Sequence, residues 1–310
     1  MDRQLFFQSL GRMLALSNEP LLVDRLPIND INNVSARILR LGLSVTAFAS
    51  LERYVEDCFG LAVQSLAGAR IGYSNFPEDL RSFLTVKAVE GLATKGGFVP
   101  APDRLAYFES HIPKVAKYAE TPPIFTSLGF SPRGSNVAAS DIAAAFNVLK
   151  VKKPWTVLSS IAASMGGASL DLENDFTNLS KTRHRAAHNP QFNIPTSDLQ
   201  NNLRAAIAIG ISVDILAKLV SDRWAAAGRI SEVSAQVAAL IYPMRFIDDG
   251  VGSIFIERAA STGRAVKHYV SESLAVTGAA GRSTSSFVIR RDASGRPLAL
   301  ADATTGPFSL

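Results

Sequence analysis

Apolar residues at Ile31, Val34, Ile38, Leu41, Val45 and Phe48 constrain this chain more than any other feature. Their steps alternate between three and four, which lines one face of an α-helix and no face of a strand. The series resumes at Val55, Phe59, Ala62 and Leu66. A single helix of roughly ten turns is therefore predicted, capped by Asn29 or Asp30. One member of the series is missing, because position 52 is Glu52. A carboxylate on a core-facing line is costly unless it is paired or used. Either the stripe rotates onto Leu51 and leaves Glu52 at the boundary, or the carboxylate has work to do.

A helix of that length needs helical partners, and the sequence supplies them. Residues 77–95 read as a helix that Gly96 and Gly97 end, residues 102–120 as another with Pro113 inside. Residues 121–136 read as a loop, and 140–149 and 155–164 as short helices. Residues 169–187 follow, with an apolar line Leu172, Phe176, Leu179 that continues into Arg183. Ser197-x-x-Gln200 has the form of a capping box. It introduces a helix with the stripe Leu199, Leu203, Ile207, Ile211, Ile215 and Leu219. Residues 1–28 read as an irregular or partly helical lead-in. After Gly228 the texture changes to short β-rich runs separated by Gly, Ser, Asp and Thr, which suggests hairpins. The expected architecture is mainly α: a helical domain over 1–230 and a small β-rich C-terminal module over 235–310.

Composition narrows the function classes. A chain of 310 residues with 47% apolar and 19% charged residues is globular rather than disordered. The one cysteine, Cys58, excludes an intramolecular disulfide and a cysteine-based zinc cage, and fits a reducing cytoplasm. The net charge of +5 permits a polyanionic partner without requiring one. The module at 235–310 carries 8 Lys+Arg against 6 Asp+Glu, so most of its surface charge is expected to cancel. The most apolar run, 205–220, is short and contains Asp214 and Lys218, so no membrane-spanning segment is expected. No P-loop and no GxGxxG occurs, and no cofactor or metal is expected.

Two of the four histidines fall inside one hexapeptide, Arg183-His184-Arg185-Ala186-Ala187-His188, directly before Asn189-Pro190. On a continuous helix Arg183 and His188 would stand about 140° apart. They converge only if the helix terminates between them, which Asn189-Pro190 is expected to bring about. An arginine that stabilises phosphoryl charge and a histidine that moves a proton near neutrality suit phosphodiester chemistry. Two other readings of the stretch stand beside this one. Arg183 and Arg185 can be a solvated helix face with His188 as a dipole-favoured cap. His184 and His188 at i and i+4 can bind zinc, although Arg185 stands where a zinc peptidase has Glu. Elsewhere, Ala162-x-Ser164-x-Gly166 is a degenerate nucleophile elbow on a helical segment. Trp155, Phe246, Tyr269 and Phe287 can stack on bases but are expected in the core. His111 and His268 stand alone.

An Arg, a polar residue, a few further residues and then His resembles the motif of the HEPN superfamily, and Arg183, His184 and His188 occupy those places. Leu51 and Glu52 with the residues to Phe59 (LERYVEDCF) look like the first helix of the HEPN families linked to RNA ligase and phosphatase neighbours. The resemblance covers roughly residues 29–227. It implies a HEPN-like helical bundle and a metal-independent endoribonuclease that leaves a 2′,3′-cyclic phosphate. Arg183 and His188 would be catalytic, with His184 and Glu52 supporting. It also implies a site formed across a homodimer, RNA as substrate, and a setting in toxin–antitoxin pairs or anti-phage defence with a possible protein partner. The alternative is a non-catalytic RNA-binding or protein-interaction module that keeps the fold.

Overall fold

The carboxylate of Asp30 accepts a hydrogen bond from the backbone N–H of Asn32 at 2.8 Å and opens the long helix. In the computed structural model, which describes residues 1–27, 30–120, 123–130, 136–166, 171–282 and 287–301, a helix precedes it. This first helix, α1 (Arg3–Leu16), buries Phe6, Phe7, Leu10 and Leu14. The lead-in is thus partly helical, as one of the two expectations had it, with turns and extended chain after Leu16. The long helix, α2 (Ile31–Ser65), confirms the periodicity but not all of its burial. Phe48, Leu51, Val55, Phe59, Ala62 and Leu66 are buried, while Glu52 is half-buried, so the stripe does rotate at Leu51. Ile31, Val34 and Ile38 are 77%, 41% and 59% exposed. In the first turns Ala36 and Arg40 face inward instead. The alternative cap, Asn29, lies outside the described residues.

The helices continue with α3 (Glu78–Leu84), α4 (Val86–Phe98), α5 (Arg104–Ala116), α6 (Ala139–Val148) and α7 (Pro154–Ser164). Then come α8 (Leu172–His188), α9 (Thr196–Ala226) and α10 (Ile230–Ala238). The helix expected over 77–95 is two helices, broken at Thr85 where φ is −120° and ψ −74°. Gly96 and Gly97 do not end it: a Cβ on Gly96 would collide with the Phe108 ring, so this glycine permits close packing of α4 on α5. The capping box is also corrected. Helix α9 already begins at Thr196, and the Gln200 amide donates instead to the Ser17 carbonyl at 3.4 Å and to Asn18 Oδ1 at 3.0 Å. The start expected at Ser169 lies outside the described residues. Helix α8 begins at Leu172, where Asp171 accepts from the Asn174 N–H at 3.0 Å.

The chain divides into two compact units, and neither follows the expected division near residue 230. Unit 1 joins Met1–Tyr54, Trp155–Ser212 and Ile241–Leu310; unit 2 joins Val55–Pro154 and Val213–Leu240. In unit 2, Phe59 packs on Phe130 and Phe146 at ring separations of 4.6 and 4.5 Å. The buried indole of Trp224 donates to the Leu149 carbonyl at 3.2 Å. In unit 1, Phe6 stacks on Tyr54 at 4.1 Å, and Phe176 meets both Phe48 and Trp155 at 5.5 and 5.8 Å. Trp155 and Cys58 are buried, as expected.

Unit 1 also holds a sheet. Its strands are β1 (Met244–Asp249), β2 (Phe255–Arg258) and β3 (Ala265–Tyr269), then β4 (Phe287–Arg291) and β5 (Pro297–Ala301) after the helix α11 (Glu272–Gly281). The strand order is β3-β2-β1-β4-β5. Consecutive strands pair antiparallel, but α11 carries the chain across so that β4 lies parallel to β1. Hairpins therefore account for all but the central pairing, which needs a crossover. Phe246, Tyr269 and Phe287 are buried in this sheet.

Part of the module's charge is buried and paired within the sheet instead of lying at the surface. Asp248, Glu257, Arg290 and Arg291 are buried. On one face, Asp248 binds Arg291 Nε at 2.7 Å and Arg258 Nε at 2.6 Å. On the other, Glu257 binds Arg245 at 2.9 Å, Arg282 at 3.2 Å and the Tyr269 hydroxyl, which donates at 2.8 Å. Arg290 pairs with Asp249 and lies 3.1 Å from Glu272.

Gly166, after α7, has φ +86°, and a Cβ there would sit 2.9 Å from the Gly295 carbonyl oxygen in the β4–β5 turn. Gly166→Ala is expected to lower stability by about 1–3 kcal/mol, because the left-handed backbone and the fixed carbonyl act together. Urea unfolding of both proteins reads this directly, and an unchanged midpoint would show that the turn yields.

By length and composition alone, Ile31–Gly68 is apolar enough to cross a bilayer. Of its most apolar window 44% is buried inside the protein, and core helices of soluble proteins pass the same test.

Candidate active site

Helix α8 seats the His–Arg hexapeptide. Its buried residues Leu172, Phe176, Leu179 and Ala186 recur at steps of four, three and seven, and Arg183 is the member that divides the last step. Arg183 is accordingly half-buried, and its Nε is buried with no hydrogen-bond partner among the described residues. A buried guanidinium nitrogen without an acceptor is costly; the Nε atoms of Arg37, Arg40, Arg204 and Arg290 share that condition among the described residues.

The helix does not terminate between Arg183 and His188. It runs through His188 and stops at Asn189, whose N–H still donates to the Arg185 carbonyl at 2.9 Å. Proline at 190 acts one residue later than convergence requires, since it excludes Asn189, not His188, from the α region. Arg183 and His188 therefore keep the separation of about 140° around α8 that helical geometry imposes. Within one chain they do not meet.

What the structure does bring together is different. The rings of His184 and His188 lie 4.7 Å apart, tilted by 52°, and both are exposed. Arg185 stands about 60° from His188 around the same helix and is also exposed. Its guanidinium lies 3.9 Å above the ring of Phe192. The cation on the histidine side of α8 is thus Arg185, and sequence reasoning centred on Arg183 passed over it. The i, i+3 spacing of Arg185 and His188 was the available signal.

Glu52 is not beside this ridge. Phe48 meets Phe176, and Arg40 Nη2 meets Asn193 Oδ1 at 2.8 Å, so α2 and α8 run antiparallel. Starting from the Phe48–Phe176 level, Glu52 lies four residues in one direction and Arg183 seven in the other. At about 1.5 Å per residue they are on the order of 15 Å apart along the axes.

Comparison with protein-family models, curated proteins and solved structures returns no match to this chain. The site must be read from its own geometry.

The loop after α8 is firmly built. Asn189 Oδ1 accepts from the Gln191 N–H at 3.0 Å, an Asx turn. Fully buried Arg40 ties it to the N-terminal segment through Asn193, the Leu22 carbonyl (2.6 Å) and Asp24 (2.9 Å). Between this loop and the start of α9 lies a pocket of about 290 Å3, walled on one side by Thr182 and Arg185. Among the described residues, no three His, Cys, Asp or Glu side chains gather as a metal-holding group. Ser164 lies in α7, where its hydroxyl donates to the Ser160 carbonyl at 2.9 Å, the usual bond of a helical serine.

Proposed function

We propose that this chain is a metal-independent endoribonuclease of HEPN type, with a site completed by a second copy. The observation that carries the reading is the exposed His184–His188 pair beside Arg185, on a helix whose Arg183 offers a buried Nε with no acceptor. In this chemistry His188 takes the proton of a ribose 2′-hydroxyl. The oxygen attacks the adjacent phosphorus, the bond to the 5′-oxygen breaks, and that oxygen leaves with a proton from an imidazole. The products are a 2′,3′-cyclic phosphate and a 5′-hydroxyl. Arginine stabilises charge on the phosphoryl oxygens. His184 orients His188. Glu52, remote along α2 from Arg183 of its own chain, supports the site only from the second copy.

The same geometry supports a homodimer as part of this reading. Arg183 and His188 of one chain point apart, so a composite site draws them from different copies. The uncovered residues Ile31, Val34 and Ile38 lie at the end of α2 that the Arg40–Asn193 contact places beside the end of α8. That apolar face is suited to a dimer contact near the site. The cytoplasmic setting, a toxin–antitoxin or anti-phage role and a protein that restrains the activity come with the family resemblance.

End-labelled RNA in excess EDTA tests the reading. Arg183→Ala is expected to lower the cleavage rate by about 10²–10³. Equal rates for variant and wild type would remove Arg183 from the chemistry. A second reading, a non-catalytic RNA-binding module, is favoured by the separation of Arg183 and His188 within one chain. It expects intact RNA that is bound with a steep salt dependence.

A further inference from the structure

We propose that the pocket between the end of α8 and the start of α9 is a nucleobase-recognition site for single-stranded RNA, selective for bases that carry an exocyclic amino group. This rests on the ribonuclease reading for its substrate and deepens it by naming what part of the RNA is read. The pocket holds about 290 Å3, the small end of the range for ligand sites and the scale of one planar ring system. One wall is the Arg185 guanidinium lying 3.9 Å over Phe192, a flat cation–π pair of the kind on which bases stack.

The polar lining is matched to a base edge. Asn201 and Asn202 reach the pocket from the first turns of α9, and neither side chain has a hydrogen bond among the described residues. Each amide offers a donor and an acceptor, the pairing that the edge of a base presents in reverse. Asp198, one turn earlier, adds an acceptor-only carboxylate, which among the described residues receives one bond, from the Ser197 hydroxyl at 3.4 Å. A carboxylate accepts from an exocyclic amine and repels the carbonyl of a base that has none. Adenine, cytosine and guanine carry that amine; uracil does not.

Placement and rigidity agree. The Asx turn at Asn189 and the Arg40–Asn193 bond fix the floor before any ligand arrives, which spares the ordering cost of binding. Arg185 lies both on the pocket wall and about 60° around α8 from His188, so a base held here sits on the flank of the helix next to the histidines.

The test is anisotropy binding of fluorescent oligo(A) and oligo(U) of equal length to the full chain in EDTA, with the cleavage rates of both measured in parallel. Wild type is expected to bind oligo(A) about tenfold or more tightly than oligo(U). Asp198→Asn and Asn202→Ala, both solvent-accessible substitutions, are expected to erase most of that ratio. Phe192→Ala is expected to weaken both oligomers by about tenfold. Equal binding of the two oligomers, or a ratio that survives Asp198→Asn and Asn202→Ala, overturns the pocket assignment. Cleavage that persists with an unchanged base preference in those variants overturns it while leaving the nuclease reading intact. A base preference lost in the variants without cleavage by wild type supports the pocket and overturns the nuclease reading.

Discussion

His188→Ala is expected to cleave end-labelled RNA about 10²–10⁴ times more slowly than wild type, the span set by loss of a positioned acid–base group. The residue is exposed at the last turn of α8, where its ring lies 4.7 Å from that of His184. Its removal therefore leaves the fold intact, and thermal unfolding should be unchanged. A composite site makes a sharper demand. Inactive Arg183→Ala and inactive His188→Ala proteins, mixed and allowed to exchange, form mixed dimers in which one site of two is whole. About a quarter of the wild-type rate should return. No recovery on mixing, with exchange verified, would place both groups in one chain and contradict the 140° separation.

Asp248→Ala is expected to destabilise the protein by about 3–5 kcal/mol, the usual cost of removing one partner of a buried pair. Asp248 is 8% exposed and holds Arg291, which is 2% exposed, together with Arg258. Without it the Arg291 guanidinium keeps, among the described residues, the Ser261 carbonyl at 3.0 Å and the face of Phe246 at 4.4 Å. The double replacement Asp248→Leu with Arg291→Met should recover part of the loss, because it removes the stranded Arg291 charge, while the half-buried Arg258 keeps only the Gly263 carbonyl among the described residues. Urea midpoints for the single and double variants decide the matter. A single variant within about 0.5 kcal/mol of wild type would mean that water already reaches the pair.

These buried charges show where sequence reading ran out. A count of opposite charges between 235 and 310 has no spatial content, and the alternation that sends Asp248 and Asp249 to opposite faces becomes visible only once the register of β1 against β4 is known. The stripe of α9 was legible because Leu199, Leu203, Ile207, Ile211, Ile215 and Leu219 repeat without interruption and are all buried. The same rule placed Ile31, Val34 and Ile38 on one face of α2 correctly and their burial wrongly, since periodicity defines a face and not what covers it. Helix α11 was passed over because its small residues and two glycines carry no stripe; Ser271, which accepts from the Leu274 N–H at 3.3 Å, is its one local signal. At the site, the hexapeptide drew attention to the right turn of α8, but the position of the proline did not bend it.

Unit 1 closes from three stretches separated by about a hundred residues in one case and a short excursion in the other. Its β5 strand lies against α1, which joins opposite ends of the chain, and its β4–β5 turn meets Gly166 from the middle of it. During synthesis, α8 with His184 and His188 leaves the ribosome while the sheet that completes its unit has yet to be translated. A nascent or truncated polypeptide therefore carries His184 and His188 on α8 before the five strands of its unit exist.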